Sequence, residues 1–116
     1  MFKTRFGEPI KLNFYFQASN LPSISTVIWS EYIRYRAKLR NFDLTKIEEI
    51  IKYSGERYYD VETGRMVAVG KHDNRLVIIP YESSGDAIAP VTIHATTRRQ
   101  IRFRLRNRRF IINESN

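Results

Sequence analysis

Seven arginines lie within the twelve residues from Arg98 to Arg109, and no acid falls between Asp86 and Glu114 to offset them. A block of like charge is costly to fold unless something anionic relieves the repulsion, and the natural anions are nucleic-acid phosphates or an acidic partner chain. The block is not a plain basic tail, because Ile101, Phe103 and Leu105 are interleaved with the charges. That interleaving calls for an amphipathic element, and two kinds fit. Alternation of Ile101, Phe103 and Leu105 with arginines has the period of a strand. Thr97-Arg98-Arg99-Gln100 reads equally well as a capping box, with Ile101 and Leu105 as a helical i,i+4 pair. Arginine and glutamine favour the helix, but pattern alone leaves the choice open.

The 116 residues correspond to one domain with a modest core. A formal charge of +8 and a pI near 10.0 favour a polyanionic partner. A basic pI by itself only keeps a protein in solution, but here the charge is concentrated. With no cysteine, disulfides and thiolate zinc sites are excluded. His72 and His94 are too few to suggest a histidine metal site, and no cofactor is implied. No apolar run approaches the ~20 residues of a membrane span. The first residues lack the apolar stretch of a signal peptide, so the expected compartment is the cytoplasm.

Residues 1–25 read as an N-terminal extension, in which Lys11 to Phe16 fits one strand and Ala18 to Ser23 a linker. Residues 26–110 form the domain, and 111–116 a tail. Ser30 to Arg40 has helical spacing, capped by Ser30. Ile33 and Ala37 face inward, with Tyr35 and Trp29 as further candidates, and Arg34, Arg36, Lys38 and Arg40 make the helix basic. Asn41-Phe42-Asp43 breaks it. Thr45-Lys46-Ile47-Glu48 is a second capping box, opening a helix with Ile47, Ile50 and Ile51 on one face and ending at Ser54-Gly55. Strands follow over Arg57 to Val61, Arg65 to Lys71 and Arg75 to Glu82, and a fourth from Ala87 to His94 is interrupted at Pro90. Leu76-Val77-Ile78-Ile79 suits a central strand covered on both faces. The expected class is α+β: two N-terminal helices packed on one face of an antiparallel sheet of three to four strands, with a basic element at the C-terminus.

From Trp29 to Phe110 this order of residues resembles the RelE/ParE-like superfamily of bacterial toxins, in particular its BrnT-like branch and a related toxin-like domain of unknown function. The resemblance rests on Arg34-Tyr35-Arg36-Ala37-Lys38-Leu39-Arg40-Asn41-Phe42 and on the acidic helix Thr45 to Ile51. Glu56-Arg57-Tyr58 leading into Gly64 to Gly70, and Val91 to Arg99, complete it. It covers about two-thirds of the chain and implies that 97–105 is helical. It also implies a ribonuclease that cuts messenger RNA without metal, held in check by an acidic antitoxin protein; it leaves a homodimer open.

Carried over by position, Arg98 and Arg99 match paired basic residues after the last strand, and Arg65 matches a basic position on a middle strand. His94 stands at the strand end, where many BrnT-like sequences have serine. The short aspartate-rich start of BrnT toxins is missing.

Cleaving RNA in this way needs a proton acceptor for the 2′-hydroxyl, positive charge for the phosphorane and a donor for the 5′-oxygen. Histidine suits the proton work and arginine the phosphate. The expected catalytic residues are therefore His94, Arg98 and Arg65. RNA contacts are expected at Arg99, Arg102, Arg106, Lys71 and Tyr59, with Tyr81 as a second-rank candidate. Tyr58 and Tyr59, adjacent on a strand, point to opposite sides, leaving one free to stack on a base.

Each candidate has a plainer reading. His94 could satisfy a backbone carbonyl. His72, beside a turn, is expected in solvent. Arg65 could pair with Asp60 or Glu62, and Arg102, Arg106 and Arg109 could form a solvated face. Two rival functions use the same residues: a basic module that binds nucleic acid or an acidic protein without catalysis, and a toxin-like fold serving only as an interaction domain.

Overall fold

The computed structural model describes residues 26–112. The strand expected over Lys11 to Phe16 and the end of the tail lie outside them. In chain order the elements are β1 (Thr26–Val27), α1 (Glu31–Leu39), α2 (Leu44–Tyr53), β2 (Glu56–Asp60), β3 (Arg65–His72), β4 (Arg75–Ser84), β5 (Ala87–Pro90), β6 (His94–Thr96), α3 (Arg98–Arg106) and β7 (Phe110–Ile111). The fold is α+β. None of these helices is long and apolar enough to cross a membrane.

The sheet departs from expectation in two ways. Among the described residues it has seven strands rather than three or four, six in the order β1-β5-β4-β3-β2-β7 with β6 paired to β4 off that path, and it is mixed, β1 running parallel to β5. As expected for its central strand, it is covered on both faces. The stretch from Ala87 to His94 is two strands, because Pro90 has no amide to continue the ladder. Both pieces pair with the same edge of β4: β5 with Tyr81 to Ser84, β6 with Leu76 to Ile78. β4 is therefore central along nearly its whole length, which explains its unbroken apolar run. Val77 and Ile79 point to the α1/α2 side with Ile33, Ile47 and Ile51, and Ile78 points to the opposite side with Val67, Val69 and Ile101.

The arginine block is helical. Thr97 Oγ1 accepts the Gln100 amide, and Ile101 is buried on the second face of the sheet with Leu105 packed beside it. A strand would have put Ile101, Phe103 and Leu105 on one side. The helix turns Phe103 outward instead, 58% exposed. α1 is capped by Ser30 as expected, but Tyr35 faces solvent. α2 begins two residues earlier than its expected box, because the Asp43 carboxylate takes the Thr45 amide at 2.9 Å, while Glu48 pairs with Lys52.

α1 and α3 both end in Schellman turns. At α3 the Arg109 amide reaches the Arg104 carbonyl, and the Arg108 amide reaches that of Leu105, with Arg108 in the left-handed region at φ 67°. This turn brings Phe110 into the second core and the Arg109 side chain onto β2.

α2 lies unusually close to the sheet at Gly70, where an added Cβ would sit 2.7 Å from Ile50 Cγ2 and 2.9 Å from Cγ1. These atoms branch next to the Ile50 backbone and cannot swing away. Gly70→Ala is expected to cost about 1–3 kcal/mol by overpacking. Combined with Ile50→Ala it should cost less than the sum of the two. Urea unfolding of the four proteins checks this.

Candidate nucleic-acid interface

Two depressions flank α3. A cleft of about 440 Å³ opens between α3 and the sheet, and Arg65, Thr92, His94, Thr96, Gln100 and Arg104 are among its walls. A wider groove of about 1070 Å³ follows the outer side of α3, along Arg99, Phe103, Arg106 and Arg108 to the Val61-Glu62 turn. Gln100, Arg104 and Arg109 border both, so the two are contiguous.

His94 is the first residue of β6 and its ring is accessible from the cleft. Nδ1 lies 3.3 Å from Arg40 Nη1, and Nε2 lies 3.4 Å from Thr92 Oγ1. Arginine can only donate, so this contact requires Nδ1 to be unprotonated, with the proton on Nε2. Arg40 is anchored in turn on the Ile93 carbonyl at 2.9 Å. Partial burial first, then the charges of Arg36 and Arg104, hold the His94 pKa below the ordinary histidine value. The imidazole is thus neutral at neutral pH and able to take a proton.

The arginines divide by their angle around α3. Arg104 flanks the buried Ile101, sits 5.6 Å over the Phe110 ring and has no carboxylate partner among the described residues. Arg99, Arg102 and Arg106 are spaced by three and four, forming one exposed stripe on the outward side. They too have no carboxylate partner among the described residues. Arg98 departs from expectation. It turns to the other flank, where Nη1 donates to Glu56 Oε2 at 2.6 Å, and the Tyr58 hydroxyl donates to the same oxygen at 2.7 Å. Burial, then the bond to Glu56, pushes the Tyr58 pKa up to about 12. Arg98 is therefore not beside His94, and the expected trio does not assemble.

Arg65 does reach the cleft, but its pairing differs from both expected partners. Nε donates to Glu82 on β4 at 3.0 Å. Glu82 is exposed, and such a pair contributes at most about 1 kcal/mol, so a phosphate can displace it. Arg109 has a structural task. Its Nε and Nη2 bond to the two oxygens of Asp60, each at 3.0 Å, and Nη1 reaches Glu62.

Other expected contacts lie elsewhere. Lys71 lines a shallow hollow with Lys46, Glu49 and Tyr53 beside α2. Tyr59 pairs in register with Met66, whose side chain packs in the α1/α2 core, so it faces away from α3. Tyr58, on the α3 side, stacks with Phe110 rather than standing free. Tyr81 is buried, its hydroxyl accepting from Arg57. His72 is buried rather than solvent-exposed. Its Nε2 accepts the Asp43 amide at 2.8 Å, and its ring meets Phe42 edge-on.

The cations that bear on His94 are Arg40 by contact and Arg36 and Arg104 by charge, none of them singled out from sequence as site residues. For Arg104 a signal existed, since it lies three residues from the inward Ile101 on the same helix. For Arg36 and Arg40 there was none, because α1 and β6 meet only in three dimensions. No family model, curated protein or solved structure matches this chain.

Proposed function

We propose that this protein is a toxin of the RelE/ParE-like, BrnT-like kind, a metal-independent endoribonuclease whose reaction takes place in the cleft between α3 and the sheet. The observation that carries the reading is a neutral-leaning histidine facing a cleft with Arg104 and Arg65 on its walls and Arg40 against its ring. The order of elements, two helices followed by a meander and a basic C-terminal helix, supports the same assignment.

In this mechanism Arg104 and Arg65 hold the non-bridging oxygens of the scissile phosphate and stabilise the phosphorane. The incoming phosphate draws Arg40 off the His94 ring, since a long 3.3 Å contact to a neutral nitrogen is weak beside a pair with an anionic oxygen. The freed nitrogen takes the 2′-hydroxyl proton as the 2′-oxygen attacks phosphorus. The P–O5′ bond then breaks, and the imidazolium returns the proton to the leaving 5′-oxygen. The products are a 2′,3′-cyclic phosphate and a 5′-hydroxyl end. The test is RNA cleavage by purified protein in excess chelator, with His94→Ala alongside.

A second reading, a binding module without catalysis, draws on the stripe of Arg99, Arg102 and Arg106, which have no carboxylate partner among the described residues. Those three with Arg104 should displace about four counterions from a single strand, giving a log-log salt slope near −3. Substituting all three stripe residues by glutamine should bring the slope near −1. An affinity that does not depend on salt removes nucleic acid as the ligand.

A further inference from the structure

The outward side of α1 carries large side chains that the fold does not use. Tyr32 is 55% exposed and Tyr35 61%, and Leu39 also stands in solvent. Spacings of three and four put them on one stripe. Basic residues surround it: Arg34, Arg36, Lys38 and Arg40, against Glu31 alone. Exposed aromatic rings in a cationic field are the combination that single-stranded nucleic acid binds, its bases on the rings and its phosphates on the cations.

This stripe is tied to the cleft through one residue. The Arg36 Nη1 donates to the Tyr32 hydroxyl at 2.6 Å, and the guanidinium carbon lies 5.5 Å from the Tyr32 ring centroid. The same Arg36 charge bears on His94. Arg40, the C-cap of α1, touches the His94 ring directly. A strand leaving the cleft past His94 therefore meets Arg40 and Arg36 first, then Tyr32, then Tyr35.

We propose that the outward face of α1 is a base-stacking platform for single-stranded RNA running out of the cleft. Its placement along the strand rests on the ribonuclease reading, but its binding does not. An acidic amphipathic helix is the other occupant such a face would fit. The continuity of the platform with His94 through Arg36 and Arg40 favours the nucleic acid.

The test uses the full chain and fluorescein-labelled eight-nucleotide strands blocked at every 2′ position, so cleavage plays no part. One strand carries bases; the other is abasic with the same phosphates. Fluorescence anisotropy gives the affinity of wild type, of Tyr32→Leu/Tyr35→Leu and of Tyr32→Phe/Tyr35→Phe. Loss of stacking on each ring weakens binding by roughly fivefold or more. The leucine variant should therefore bind the base-bearing strand at least about tenfold more weakly, while its affinity for the abasic strand stays within about twofold. The phenylalanine variant should keep the wild-type preference for bases. Equal losses on both strands, or no loss on either, overturn the proposal. So does tight capture of an acidic helical peptide on these tyrosines that neither strand displaces. Wild-type protein that leaves RNA uncut yet shows the base-dependent difference keeps the platform and sinks the ribonuclease reading instead.

Discussion

Replacing His94 with alanine is expected to lower RNA cleavage by about 10²- to 10⁴-fold, the usual contribution of a positioned acid–base group. Stability should hardly change, because the ring is only partly buried and its two contacts are long, at 3.3 and 3.4 Å. The pH profile carries further information. Partial burial and the Arg36 and Arg104 charges lower the His94 pKa, so the neutral, proton-accepting form is present above that lowered value. Cleavage should be level through neutral pH and fall on acidification, with its limb below the ordinary histidine value of about 6.5. Arg104→Gln removes one of the two charges and should move that limb upward, besides weakening phosphate binding. Burial remains, so the limb should not return fully. Wild-type activity that survives in His94→Ala, or a limb that does not move in Arg104→Gln, would overturn the assignment of the base.

Removal of the Asp60 carboxylate is expected to destabilise the fold strongly. Asp60 is 3% exposed, and its oxygens are taken by Arg109 and by the Glu62 amide. Asp60→Ala strands the Arg109 guanidinium near the second core. Breaking a buried pair from one side costs about 3–5 kcal/mol, and the lower figure is expected because part of the Arg109 side chain reaches water. Burial raises the Asp60 pKa, but the bonds from Arg109 and Glu62 outweigh it, and the net shift is downward. A depressed folded-state pKa means that the stabilisation is present above the unfolded value of about 3.9 and fades as pH falls through the folded one. Urea unfolding from pH 7 to pH 2 should therefore show a steeper acid loss in wild type than in Asp60→Asn. Glu82→Ala, which breaks the exposed pair with Arg65, should change stability by less than about 1 kcal/mol. Equal effects at the two sites would mean that the Asp60 pair is not the clamp on α3.

That clamp bears on how much of the site could be read in advance. The seven arginines suggest one common cationic surface, whereas the structure gives them different tasks. Arg109 is held by Asp60 and Glu62, and Arg98 by Glu56. Arg99, Arg102 and Arg106 face outward, and Arg104 faces the cleft. Taking Arg98 and Arg99 as a pair treats neighbours in sequence as neighbours in space. Consecutive residues on a helix point about 100° apart, so the two cannot serve one phosphate from the same side. His72 misleads for a related reason: a position beside a turn implies solvent, but Phe42 and the Asp43 amide from the α1–α2 connection close over the ring.

The amino-acid pattern by itself determined what is governed by short-range geometry. The Ser30 and Thr97 caps, the apolar stripes of α1 and α2, the hairpin turns and the central apolar strand follow from contacts within a few residues, which spacing encodes directly. Only the tertiary structure decided which face of the sheet α3 covers, that β1 makes the sheet mixed, and that Arg36, Arg40 and Arg104 converge on His94. Those depend on pairings between residues dozens of positions apart. A one-dimensional pattern carries the chemistry of each partner in such a pairing but not the rotation and register that bring the two together.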